Sequence, residues 1–272
     1  MVYNNSTNLY GTNAFIVSST PGKGNYLTIA SAITVASSGD TIFLKNGTYT
    51  ENVTMKAGVN LSADATDSTT PSVVILGELT CNYTGTCSIS GIELQPNGTP
   101  CLGSTTGTAV LNLLGCSILC NRDYAMSANN SAFQINLYNC TADSTGVTYA
   151  LFSWSALSSC RFIGCDFSNL STDVTSNSLA YAGQTLFEGC TTSFPMTTNG
   201  GGYIVFNNST LDTSAANTTS MTINDSTTGE SSVTNSSMSS GTATSLNIGT
   251  STTTNCDYTV FTNTNTYDVS TA

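Results

Sequence analysis

One eight-residue phrase recurs along the chain, and its recurrence limits the possible folds more than any other feature. CSISGIEL, LNLLGCSI, INLYNCTA, CRFIGCDF, TLFEGCTT, IVFNNSTL, MTINDSTT and LNIGTSTT share one pattern. With the sixth residue as anchor, the positions are Ile92, Cys116, Cys140, Cys165, Cys190, Ser209, Ser226 and Ser251, at intervals of 24, 24, 25, 25, 19, 17 and 25 residues. A period of this size is one turn of a solenoid.

The columns have a physical logic. Three residues before the anchor stand Ile89, Leu113, Leu137, Phe162, Phe187, Phe206, Ile223 and Ile248, all large and apolar. Five before stand Cys87, Leu111, Ile135, Cys160, Thr185, Ile204, Met221 and Leu246. A spacing of two places both columns on one face of a strand, pointing into a core. Immediately before the anchor come Gly91, Gly115, Asn139, Gly164, Gly189, Asn208, Asp225 and Thr250. Gly, Asn and Asp tolerate left-handed backbone, so most of this column marks a sharp corner once per turn. Two residues after the anchor, Leu94, Ile118, Ala142, Phe167, Thr192, Leu211, Thr228 and Thr253 turn inward again. Strand, corner, strand, repeated with variable turns, predicts an all-β, single-stranded parallel β-helix of about 17–25 residues per coil. A sandwich would not produce columns of like residues.

Upstream, residues 28–37 read as one short capping helix with apolar Ile29, Ile33 and Val35, followed by strands near 41–44, 49–55 and 59–63. Lys23, Gly24, Tyr26, Thr28, Ile29 and Ala32 precede Gly39 to Ile42, Leu44, Gly47 to Tyr49, Glu51 and Val53. In this order they resemble the N-terminal cap and first coil of the pectin-lyase-like superfamily. The resemblance implies a right-handed coil and a superfamily of carbohydrate-active enzymes and virion spikes. The expected organisation is an N-terminal segment with helix and first coil at 1–63, regular coils at 64–208, and polar, tapering coils with a cap at 209–272.

Composition removes several chemistries. There is no histidine, so imidazole bases, the Ser-His-Asp triad and His-ligated zinc are excluded. Five basic residues (Lys23, Lys45, Lys56, Arg122, Arg161) against sixteen acidic ones give a net charge of -11, which argues against nucleic acid and anionic membrane as partners. No run approaches a membrane span, and MVYNNSTNLYG does not read as a secretory leader, so export by another route is expected. Ser, Thr and Asn form roughly 42% of the chain, well above ordinary globular usage. About fifteen Asn-x-Ser/Thr triplets, among them Asn46, Asn52, Asn82 and Asn139, exceed the roughly nine that composition predicts. Without a secretory leader this excess is not evidence for glycosylation.

Candidate sites are few. The outward positions of the repeat carry only Glu93, Arg161, Asp166 and Glu188 as charged residues. Glu93 falls three coils from Asp166, about 14 Å at roughly 4.8 Å per coil, too far for a carboxylate pair. Asp166, Glu188 and Arg161 are the weak catalytic candidates, with a surface ion pair between Arg161 and Glu188 the simpler expectation. Tyr149, Trp154, Arg122 and Asp123 are weak carbohydrate-binding candidates. Asp64 and Asp67 come nearest to a calcium loop, but two acids do not make one, and no metal or cofactor is expected. Cys116, Cys140, Cys165 and Cys190 should form a buried, reduced ladder. Leu114, Tyr138, Ile163, Leu186 and Val205 make an outward apolar strip, expected to be covered by the chain's own turns or by another subunit in a homo-oligomer, most simply a trimer.

Three functions follow. The first is a non-enzymatic structural or receptor-binding protein of a virus or phage particle, packing against other particle proteins or binding a surface glycan, and found on a virion or outside the cell. The second is a polysaccharide lyase or hydrolase of the pectin-lyase-like class. The third, a surface adhesin or ice-binding solenoid, would use the column Thr141, Thr191, Thr210, Thr227 and Thr252, which Asp166 interrupts.

Overall fold

A computed structural model describes residues 15–66, 72–97, 100–120, 124–144, 150–170, 177–179, 184–198, 203–213, 221–223, 231–241, 246–248, 254–257, 260–263 and 268–269. Among these, the structure is nearly all strand with one helix, Ile29–Val35. The strands that follow the corners form a ten-stranded sheet, and the remaining strands form a nineteen-stranded sheet. Neighbouring strands are parallel, as in Leu113 opposite Leu137 and Thr191 opposite Thr210. Parallel neighbours joined through crossovers take the right-handed sense, and the fold is a right-handed parallel β-helix.

Each coil has a strand before the corner, a strand after it, and a third short strand such as Leu79–Thr80 or Leu102–Ser104. In two coils the third strand runs without a break into the next coil's first. These are Tyr124–Tyr138 and Ala150–Ile163, whose pairing shifts register between Ala128 and Asn129 and again between Asn130 and Gln134. Such irregularities bend a strand without ending it, which lets one strand serve two sides of the coil.

The corners are where the sequence placed them for six coils. Gly91, Gly115, Asn139, Gly164, Gly189 and Asn208 all have φ between 47° and 66°. The seventh corner that the structure describes is Asn235, with φ 48°, where the sequence had pointed to Asp225, which lies outside the described residues. Met221–Ile223 pairs with Met196–Thr198 in the third row, and Leu246–Ile248 pairs in turn with Met221–Ile223, so the first three residues of MTINDSTT and of LNIGTSTT are third-row strands. Both rows alternate inward and outward with period two, so the apolar pattern could not separate them. The anchor after Ser209 is therefore Ser236, 27 residues on, and coils are longer there than the expected 17. Met238, buried opposite Leu211, holds the inward column assigned above to Thr228, so the core does not become hydroxyl-lined at that position. Ser226, Thr227, Thr228, Ser251, Thr252 and Thr253 lie outside the described residues.

The core is a set of stacked columns. Leu61, Ile89, Leu113, Leu137, Phe162, Phe187, Phe206 and Val233 follow one another in register, and all are buried. The four anchor thiols lie beside this stack, and each donates to the carbonyl of a residue on the previous coil: Cys116 to Ile89 at 3.4 Å, Cys140 to Leu113 at 3.5 Å, Cys165 to Leu137 at 3.5 Å and Cys190 to Phe162 at 3.3 Å. They are free thiols, as are Cys81, Cys87, Cys101 and Cys160.

The N-terminal end is closed by the helix, which buries Ile29, Ala32 and Ile33 against the first coil. Thr28 caps it, accepting from the Ser31 amide at 3.2 Å, and the Glu51 carboxylate accepts from the Ile29 and Ala30 amides at 2.8 and 3.1 Å. These are amides that a helix leaves unpaired at its start. Asp64 is buried and ion-paired with Lys45 at 2.7 Å, while its other oxygen accepts from Thr66, so it is a structural group and not a loop ligand. Asp67 lies outside the described residues.

Several triplet asparagines act between coils. Asn46 accepts from the Ser72 amide at 3.0 Å, Asn52 from Glu78 at 3.0 Å, Asn60 from Ser88 at 2.9 Å, and Asn82 from Thr105 and Thr106 at 2.9 and 3.1 Å. The asparagine excess thus has a structural use. Among the described residues, no helix is long and apolar enough to cross a membrane.

Candidate functional site

The outer face of the ten-stranded sheet gathers the outward polar residues into one line. Glu93, Ser117, Thr141, Asp166, Thr191, Thr210 and Ser237 sit opposite one another in unbroken succession. Parallel strands lie about 4.8 Å apart, so the line presents one polar side chain at that interval along the solenoid axis. Thr141, Asp166, Thr191 and Thr210 are exposed, whereas Glu93, Ser117 and Ser237 are half-buried. Ser237 donates its hydroxyl to Thr210 at 3.2 Å, joining two steps of the ladder. The continuation past Thr210 differs from the expected one, since Ser237 stands where the sequence had suggested Thr227. Beside it on the same face stand further exposed residues: Asp143, opposite Asn169, and Asp212, opposite Ser239.

Asp166 is the central acid of this face. Its Oδ1 accepts from the Ser168 hydroxyl at 2.6 Å and the Ser168 amide at 3.0 Å. That hydroxyl, then that amide, hold its pKa below the ordinary aspartate value by stabilising the charged form. Glu93 lies three strands away, as expected, and accepts from Gln95 Nε2 at 2.5 Å.

Across the corner, Glu188 takes different partners from the one expected. Its two oxygens accept from Asn207 Nδ2 and Asn208 Nδ2, each at 2.8 Å, and Asn207 Oδ1 in turn accepts from the Thr234 hydroxyl at 2.8 Å. Arg161 is exposed on the same sheet, opposite Asn136 and Leu186, and among the described residues it forms no ion pair with Glu188. The 19-residue coil between Cys190 and Ser209 brings both asparagines beside Glu188. Asn208 was visible in the sequence only as a corner residue.

The apolar strip divides in two. Leu114, Tyr138 and Ile163 stack in one column, but Ile163 then faces Glu188, and Leu186 and Val205 belong to the neighbouring column, where they follow Asn112, Asn136 and Arg161. Leu114 is 40% exposed and the other four are half-buried. Of the carbohydrate-binding candidates, Trp154 lies within the strand Ala150–Ile163, opposite Ala128, while Arg122, Asp123 and Tyr149 lie outside the described residues. Among the described residues, no three Cys, Asp or Glu side chains converge as metal ligands would.

No protein-family profile matches the chain, and neither does any curated protein. Solved structures do. Pectin methylesterase PemA from Erwinia chrysanthemi aligns with a TM-score of 0.49 at 17% identity, covering 88% of this chain and 82% of that one. A pectin methylesterase in complex with a hexasaccharide gives the same values. The pectin methylesterase from Aspergillus niger aligns with a TM-score of 0.38 at 16% identity, over 95% of this chain and 88% of that one. At these identities the similarity is one of chain path.

Proposed function

We propose that this chain binds an extended polysaccharide along the outer face of its ten-stranded sheet. The observation that carries the reading is the in-register ladder Ser117, Thr141, Asp166, Thr191, Thr210 and Ser237. A hydroxyl offers one donor and two acceptor positions, and a carboxylate accepts only. A row of such groups at regular spacing suits a polymer whose own hydroxyls repeat along its length. The reading is tested by affinity electrophoresis over a panel of soluble polysaccharides. The triple variant Thr141→Ala, Thr191→Ala, Thr210→Ala should lose at least about tenfold in affinity, each lost hydrogen bond being worth about 1 kcal/mol. Undiminished binding by that variant would remove the ladder as the site.

A second reading is that the same face turns the polymer over. It is favoured by Asp166, an exposed carboxylate whose charged form Ser168 stabilises, which suits it to act as a nucleophile or electrostatic stabiliser and not as a proton donor. A reducing-end assay with Asp166→Asn separates the two readings, since only the enzymatic one loses turnover while binding persists. The finer placement, a spike or fibre subunit of a particle in which three chains associate through Leu114, Tyr138 and Ile163, belongs to the same proposal. Its support is the partly exposed apolar column.

A further inference from the structure

The glycan-binding reading of the ten-stranded sheet can be narrowed by charge. We infer that the polymer this face takes is free of carboxylate and sulfate groups, being neutral or carrying amino groups, and that polyuronates and sulfated glycans are rejected. The inference rests on that reading and adds the chemical class of ligand.

The outward positions of the sheet from Glu93 to Ser239 carry Glu93, Asp143, Asp166 and Asp212, and no lysine or arginine. Three of these acids, Asp143, Asp166 and Asp212, are exposed. The chain's cations are elsewhere. Lys45 is committed to Asp64, and Lys56 donates to the Ala36 carbonyl at the end of the helix. Lys23 lies ahead of the helix, and Arg161 is on the other sheet. Arg122 lies outside the described residues.

A polymer laid along the ladder passes within a few ångströms of Asp166, with Asp143 and Asp212 exposed beside the ladder on the same face. Its charges would meet like charges at distances shorter than the screening length of about 10 Å at 0.1 M salt. Neither sheet column offers the bidentate guanidinium that recognises a carboxylate or sulfate. A neutral sugar meets no such barrier, and its hydroxyls can donate to Asp166 and exchange hydrogen bonds with Thr141, Thr191 and Thr210. An amino sugar gains an attraction as well, one that weakens as salt rises.

The test is affinity electrophoresis of the full chain at low salt against four probes: a neutral soluble β-glucan, chitosan, polygalacturonate and dextran sulfate. The expected result is retardation by the β-glucan or by chitosan and none by the two polyanions. The double variant Thr191→Lys, Thr210→Lys, checked for an unchanged circular dichroism spectrum, should acquire polygalacturonate binding and lose at least about tenfold in chitosan affinity. Retardation of the unaltered chain by polygalacturonate or dextran sulfate would overturn the charge inference while leaving a glycan-binding face. Retardation by none of the four would remove both. Chitosan or β-glucan binding that the double variant leaves unchanged would remove the ladder as the place where the polymer lies.

Discussion

The rings of Phe162 and Phe187 stack at a centroid distance of 4.6 Å with 18° between their planes, one coil directly above the other. Phe206 continues the column at 5.6 Å from Phe187, and Phe167 meets Phe162 edge-on at 5.6 Å. Phe187 therefore touches aromatic neighbours above and below. Phe187→Ala should cost about 3–5 kcal/mol, and Phe187→Leu clearly less, because leucine leaves a smaller void. Urea denaturation of both variants checks this, and equal midpoints for the two would contradict it.

Glycine corners are not equivalent to one another. Gly164 and Gly189 have φ of 63° and 64°, but a Cβ on Gly164 would crowd Asn139 Oδ1, whereas one on Gly189 would meet nothing within 4 Å. Gly189→Ala should therefore cost only the left-handed backbone penalty, about 1–2 kcal/mol, and Gly164→Ala more. Gly189→Asn should be milder than Gly189→Ala, since Asn139, Asn208 and Asn235 already hold this conformation. The ranking can be read from thermal midpoints of the three variants.

The pair of half-buried Lys45 with fully buried Asp64 allows a test of charge against packing. Lys45→Met leaves the Asp64 carboxylate buried without its cation and should destabilise by about 3–5 kcal/mol. Adding Asp64→Leu to that variant should recover much of the loss, because two apolar groups need no mutual compensation. A double-mutant cycle in guanidinium measures the recovery, and additive losses would show that the pair is not coupled.

The Asp166 carboxyl should titrate below the ordinary aspartate value, because the Ser168 hydroxyl and amide favour its charged form. A depressed pKa contributes stability above the ordinary value, and the contribution is lost as pH falls through the lowered one. For a group this exposed the effect on folding is small, so the direct measurement is a carboxyl-carbon NMR titration. Ser168→Ala should move the midpoint upward, and an unmoved midpoint would disprove the assigned cause.

Thiol chemistry should be silent in the folded chain. Cys140 and Cys165 are pushed up to about 12, and Cys116 is raised as well. In Cys116 the hydrogen bond with Cys140 contributes most, followed by burial. For Cys140 and Cys165 the first influence lowers the value, a hydrogen bond within the ladder, but bonding to the next thiol and burial outweigh it. Cys190 shifts the other way, lowered first by its hydrogen bond with Cys165, so burial alone shields it. Brief iodoacetamide treatment at pH 8 should leave Cys81, Cys87, Cys101, Cys116, Cys140, Cys160, Cys165 and Cys190 unmodified, as mass spectrometry would show, with all reacting after denaturation.

From Ile92 to Ser209 the coil was readable from sequence because three signals coincide: large apolar residues at period two, a left-handed residue, and a small buried anchor. Beyond Ser209 they separate. Met221–Ile223 has the same alternation as a pre-corner strand, and the residues after it are as tolerant of a bend as those of a true corner. Only pairing with Met196–Thr198 distinguishes the row, and pairing is a long-range property. The ladder residues Thr141, Asp166, Thr191 and Thr210 were visible as a column, whereas the partners of Glu188 depend on the length of one particular coil. Lys45 and Asp64 are 19 residues apart, and nothing local marks them as a pair.

The asparagines at 46, 52, 60 and 82 each reach forward to an amide 23 to 28 residues later. A growing solenoid built this way checks its own alignment. If an incoming coil slipped by one residue, the waiting side-chain oxygen would face a carbonyl or an outward side chain, and the displaced amide would lose its acceptor. Each slip would forfeit the side-chain hydrogen bond that ties the two coils together, worth about 1 kcal/mol. Each finished coil thus serves as a template that accepts its successor in a single frame, and errors of threading are rejected one turn at a time.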